Sequence, residues 1–178
     1  MAKRILPELP ELLAEVTEIV DEMEKETDRG AALVGAAFLD DMLSLLLEAA
    51  LVDEDISKAF LTESGGISEF GIRIKLAYCM GLIGPIMLQD LNLVKEIRDE
   101  FAHNLGILDF NTEIISSYCS KLSTYSPTKF FSSNRHEFIF FSAIVTGVIG
   151  LRIGNTKRPK SRKDIITTPV LEIKQFDL

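Results

Sequence analysis

Histidine and cysteine are scarce in this chain, two of each in 178 residues. Few of the usual zinc ligands are therefore present, and no metal centre is expected. Cys79 and Cys119 form no CxxC pair and have no histidine beside them. They read as two buried or half-buried thiols in a reducing cytoplasm. No apolar run reaches about 18 residues without a charge, so no membrane span is expected. The opening MAKRILPELP carries Lys3 and Arg4, but no apolar stretch or cleavage site follows, so no secretory signal is expected. A glycine-rich phosphate loop after a strand, an HExxH pair and a serine elbow are all missing. No cofactor is expected.

Apolar residues make up 47% of the chain and charged residues 26%. That balance describes a compact fold rather than a disordered chain. The length fits one domain, or one domain with a tail. We place the domain at residues 1–152 and the tail at 153–178. The net charge of −8 is unevenly spread. Residues 1–151 carry 12 basic and 24 acidic side chains, and residues 152–178 carry 7 and 3. Six cations fall within RIGNTKRPKSRK: Arg152, Lys157, Arg158, Lys160, Arg162 and Lys163. An acidic body repels a phosphate backbone, so contact with nucleic acid is expected only through this tail or through a cleft between two chains. The tail reads either as an arm for nucleic acid or an acidic partner, or as a solvated segment.

The hydrophobic pattern predicts an all-α bundle of six to seven helices with an irregular tail. Residues 9–26 repeat apolar side chains at helical spacing over an acidic outer face. Thr27 or Asp28 caps the next helix, from about Arg29 to Leu51. That helix is apolar nearly all round, as in a central helix surrounded by others. Shorter helices are expected over Asp55–Leu61 and Phe70–Ile83, the second stopped by Gly84-Pro85. Others follow over about Asp90–Asn104, from an Asn111 or Thr112 cap to about Leu122, and over Arg135–Arg152. DIITTPVLEI, beyond the last helix, allows one extended piece. Phe138, Phe140 and Phe141 read as core, His136 as a cap or surface group, and Asp28-Arg29 as a cap plus a solvated charge.

The chemistry concentrates in IRDEFAHNL, Ile97 to Leu105. On a helical wheel Arg98 falls ~40° from Val94, inside an apolar stripe, while His103 falls ~140° from Arg98. Arg98 is therefore expected to point at the core or at a subunit interface, with a carboxylate partner or in a polar cleft. Asp40 and Asp41 on the central helix are the candidate partners, and Arg73 is a second cation. These four side chains read either as a buried network setting helix register or as the lining of a pocket or interface.

Three blocks, TDRGAALVGAAFLDDMLSLLL, FGIRIKLAYCMGLI and IRDEFAH, resemble the mannitol operon repressor family over roughly residues 10–152. The resemblance implies an all-helical fold and negative regulation of transcription. It also implies that no recognisable DNA-binding motif is present, and none is visible here. Action through a protein partner or as a homodimer is then expected. Arg98, Asp99 and His103 also resemble the signature of HEPN domains, helical bundles of which many are dimeric ribonucleases. That second resemblance implies metal-independent RNA cleavage, with His103 handling protons and Arg98 stabilising phosphorane charge across two subunits.

Overall fold

The computed structural model describes residues 9–52, 54–62, 65–123, 133–157 and 159. These form seven helices and no strand: α1 (Leu9–Lys25), α2 (Asp28–Ala50), α3 (Asp55–Leu61), α4 (Phe70–Cys79), α5 (Pro85–His103), α6 (Glu113–Cys119) and α7 (Asn134–Asn155). The all-α expectation holds. The DIITTPVLEI piece and the tail cations Arg158, Lys160, Arg162 and Lys163 lie outside the described residues.

α2 is the centre. It packs on α1, α3, α4, α5 and α7, which explains why its apolar positions run almost round the helix. Its small residues let neighbours come close. A Cβ at Gly35 would meet Met23 Sδ and Phe138 Cε1 at 2.9 Å, so α1 and α7 both press on this backbone. Ala31, Ala32 and Ala36 are buried as well, while Ala37 is exposed. α2 and α7 are each long and apolar enough to cross a membrane, yet about half of each apolar window is buried within the bundle. Their apolar faces meet each other and the core.

Two boundaries depart by four or five residues from the sequence expectation, while α6 stops three residues early and α7 runs three residues further. α4 stops at Cys79, not Ile83. Gly81 adopts φ +71°, Leu82 N donates to Ala77 O and Gly81 N to Tyr78 O, both at 2.9 Å. This is a glycine-centred C-terminal cap, which satisfies carbonyls the helix end leaves bare. Gly84-Pro85 does not end α4 but opens α5, with Pro85 at a first-turn position where its missing N–H costs nothing. α5 thus starts five residues before Asp90. Elsewhere the caps fall where expected: Thr27 Oγ1 accepts from Gly30 N at 3.1 Å, and Thr112 precedes α6.

The core carries a chain of rings. Phe101 and Phe110 have centroids 5.2 Å apart, and Phe110 and Phe138 5.3 Å, all tilted. Such geometry suits the ring quadrupoles. Phe138 and Phe141 are buried as expected. Phe140, assigned to the core with them, is 36% exposed, since it falls ~100° round α7 from the buried Phe141. The two thiols also differ. Cys119 is buried, and burial, with Glu137's charge second, pushes its pKa up to about 12. It stays a neutral, inert thiol. Cys79, at the last position of α4, is exposed rather than half-buried.

Candidate functional site

Most described arginines spend their guanidinium groups on helix ends. Arg29 donates to Phe101 O, to Asn104 O at 2.9 Å and to Gly106 O at 3.0 Å, closing the C-terminal end of α5. Arg135 reaches the end of α1 through Met23 O (2.8 Å), Glu24 O (3.2 Å) and Glu26 O (2.7 Å), and pairs with Asp28 at 2.6 Å. Arg73 donates to Leu61 O and Ile67 O, both at 3.1 Å, after α3. Arg152 donates to Leu82 O at 2.6 Å, in the turn after α4. Cations suit these carbonyl-rich ends.

Asp28 and Arg29 are therefore not a cap plus a solvated charge. Asp28 accepts from Phe110 N at 3.0 Å as well as from Arg135. Arg29 and Arg135 were missed as structural residues by the sequence reading. One signal was available: each sits in the first turn of a long apolar helix, where a cation opposes the helix dipole and needs an acceptor elsewhere. Similarly Arg152, counted with the tail, is engaged by the body of the fold.

Arg98 is the exception. Its Nε pairs with the adjacent Asp99 at 3.1 Å, and no carbonyl among the described residues takes its terminal nitrogens. Of the expected settings, core, subunit interface or polar cleft, it is not sunk in the core, being one third exposed. The stripe beside it, Leu91, Val94, Ile97 and Phe101, is fully buried. A wheel records angle and not height. Beside Arg98, α2, the start of α4 and α5 leave a cleft of about 520 Å³. From α2 it is lined by Leu33, Ala37 and Asp40, from the start of α4 by Ser68, Glu69 and Gly71, and from α5 by Lys95, Arg98 and Asp99.

The expected network of Asp40, Asp41, Arg73 and Arg98 forms in part. Asp40 Oδ1 meets Arg73 Nη1 at 2.7 Å. Burial raises the Asp40 pKa, opposed by its bond to Arg73 and by the charges of Arg73 and Arg98, while Asp41 adds to the rise. Asp41 itself is exposed, because one residue's turn along α2 carries it away from the α4 side. Lys95 Nζ holds Asp99 at 2.8 Å and Glu96 at 3.0 Å, and these bonds, Asp99 first, raise its pKa. His103 is exposed at the last position of α5 and does not line the cleft. Within one chain, Arg98 and His103 share no site. Among the described residues no three His, Cys, Asp or Glu side chains are placed to hold a metal ion.

A more deeply buried acid than Asp40 was not singled out by the sequence. Asp90 on α5 is 1% exposed and accepts from Ser123 N at 2.9 Å and from Ser123 Oγ, anchoring the chain after α6. Burial raises its pKa above 3.8, and the two Ser123 bonds only partly offset this. The native state therefore binds the Asp90 proton more tightly than the unfolded chain. Its contribution to stability is fullest below 3.8 and declines as pH rises through the native value. In urea titrations, wild type should lose stability relative to Asp90→Asn across that window. Parallel pH profiles for the two proteins would contradict this.

The sequence profile of the family described as Mannitol repressor matches residues 14–140, well over half of the chain. The chain belongs to the mannitol repressor family. The match runs from α1 into α7 and takes in the cleft, while the basic tail lies beyond it. Among solved structures, the fold is similar to a chain in the X-ray structure of the MtlR-HPr complex from Escherichia coli. The TM-score is 0.60 at 16% identity, covering 79% of this chain and 98% of that one. A search of curated proteins finds no match. The IRDEFAH block supplies three things: core (Ile97, Phe101), a helix end held by Arg29, and Arg98, paired only through its Nε with Asp99.

Proposed function

We propose that this chain is a negative regulator of transcription of the mannitol repressor type, acting by binding a protein partner of the HPr kind. The family match over residues 14–140 carries this reading, and the likeness to the MtlR-HPr complex supports the choice of partner. The electrostatics favour a protein over DNA as the direct contact. Four of the five described arginines are turned inward to carbonyl groups, and the sequence pI is about 4.8. Little positive surface is left on the bundle for a phosphate backbone.

Calorimetric titration of the full chain with HPr from the same organism tests the reading. Saturable binding is expected, with the chain alone showing no salt-sensitive affinity for operator DNA. Absence of heat with HPr, together with tight DNA binding lost when Lys157, Arg158, Lys160, Arg162 and Lys163 become glutamate, would move the activity to the tail.

A further inference from the structure

The cleft between α2, α4 and α5 has a volume in the range of small-molecule sites, about 300–1,000 Å³. Its polar groups are not all consumed by the fold. Arg73, just behind it, is fully engaged: its guanidinium meets Asp40, Leu61 O and Ile67 O. Arg98 is not. Its Nε is taken by Asp99, leaving the two terminal nitrogens of a planar fork without an acceptor among the described residues. That fork matches the paired oxygens of a carboxylate or phosphate.

The remaining lining limits which anion can enter. Asp40 gives one oxygen to Arg73 and keeps the other. Glu69 closes the start of α4 through its backbone, and its side chain makes no capping bond. Ser68 stands beside it in the lining. Inorganic phosphate at Arg98 would set its charge against these carboxylates and could offer them only its own acid proton. A molecule with hydroxyl groups next to its anionic group would satisfy both sides, donating to the carboxylates while accepting from Arg98. We infer that this cleft binds a small hydroxylated organic anion, held at its charged end by Arg98 and at its hydroxyls by Asp40 and Glu69. The ligand is recognised by shared chemistry, and a sugar phosphate and a hydroxy acid would both fit that description.

The test uses the full chain, isotope-labelled, followed by amide and arginine Nε–H resonances. The probes are glycerol 3-phosphate and glycerate, with inorganic phosphate and glycerol as controls. Saturable shifts at Gly71 and at the Arg98 Nε–H are expected with at least one hydroxylated anion. That anion should bind about tenfold or more tightly than inorganic phosphate, as added charge-assisted hydrogen bonds imply. Two variants should each weaken binding at least about tenfold with an unchanged melting temperature: Arg98→Gln removes the fork, and Ala37→Leu fills the cleft without altering charge. If either fails to fold, Arg98→Lys keeps the cation without the fork and should still weaken binding. Which anion binds decides between phosphate and carboxylate. The inference is overturned if neither anion saturates, if inorganic phosphate binds as well, or if Arg98→Gln binds like wild type. It is also overturned if shifts fall only on residues 152–163, or if Arg98→Gln impairs HPr binding alone. Failure of HPr binding with cleft binding intact would overturn the partner reading and leave this one standing.

Discussion

Arg73→Ala is expected to destabilise the fold by about 3 kcal/mol, the low end of the range for breaking a buried ion pair. Arg73 is only 8% exposed. Its removal strands the Asp40 carboxylate, whose side chain is 25% exposed, and withdraws donors from Leu61 O and Ile67 O. Unsatisfied groups of this kind cost more than the bonds themselves contribute. For a chain of this size the melting temperature should fall by roughly 10 °C. Arg98→Ala is the informative comparison. Its side chain is one third exposed and its ion pair is with a sequence neighbour, so a loss under about 1 kcal/mol is expected. Equal losses for the two variants, measured by thermal denaturation, would mean that Arg98 also supports the fold.

Phe110→Ala should cost more still, about 3–5 kcal/mol, as in other large core truncations. The ring is 1% exposed between Phe101 and Phe138. Its backbone is held as well: the N–H donates to Asp28, and the carbonyl accepts from Asn134 Nδ2 at 2.9 Å. The site therefore cannot collapse to fill the space. It lies where the end of α5 and the starts of α2 and α7 converge. Urea unfolding of Phe110→Ala beside Ile107→Ala, a fully exposed neighbour, provides the check. Ile107→Ala should stay within about 0.5 kcal/mol of wild type, and a similar small change for Phe110→Ala would refute the assignment.

Much of the helical framework was legible in the sequence. α2 was recognisable as central because a helix apolar on nearly every side must be surrounded. The Thr27 cap, the small residues of α2 and the separation of Arg98 from His103 also follow from local chemistry and helical spacing. The errors share one cause, in that each concerns what lies beyond a helix's own axis. Gly84-Pro85 can end one helix or begin the next, and Gly81 had already closed α4. Asp28 and Arg29 read as a cap plus a solvated charge, and Arg135 drew no reading, because the backbone groups they bond, the Phe110 N–H for Asp28 and carbonyls for the two arginines, lie far along the chain. Backbone carbonyls carry no signature in a sequence.

The candidate site divides along the same line. Sequence alone determined the residue types, their order and their angle about each helix axis. It placed Arg98 among apolar neighbours, matched Asp40 with Arg73 as possible partners, and set an acidic body against a basic tail. Only tertiary structure decided that Asp40 rather than Asp41 pairs with Arg73, that Asp90 is buried against Ser123, and that Arg98 opens into a cleft. Periodicity specifies direction within one helix. Which groups are satisfied depends on where neighbouring helices end, and those heights are set by packing between residues distant in the chain.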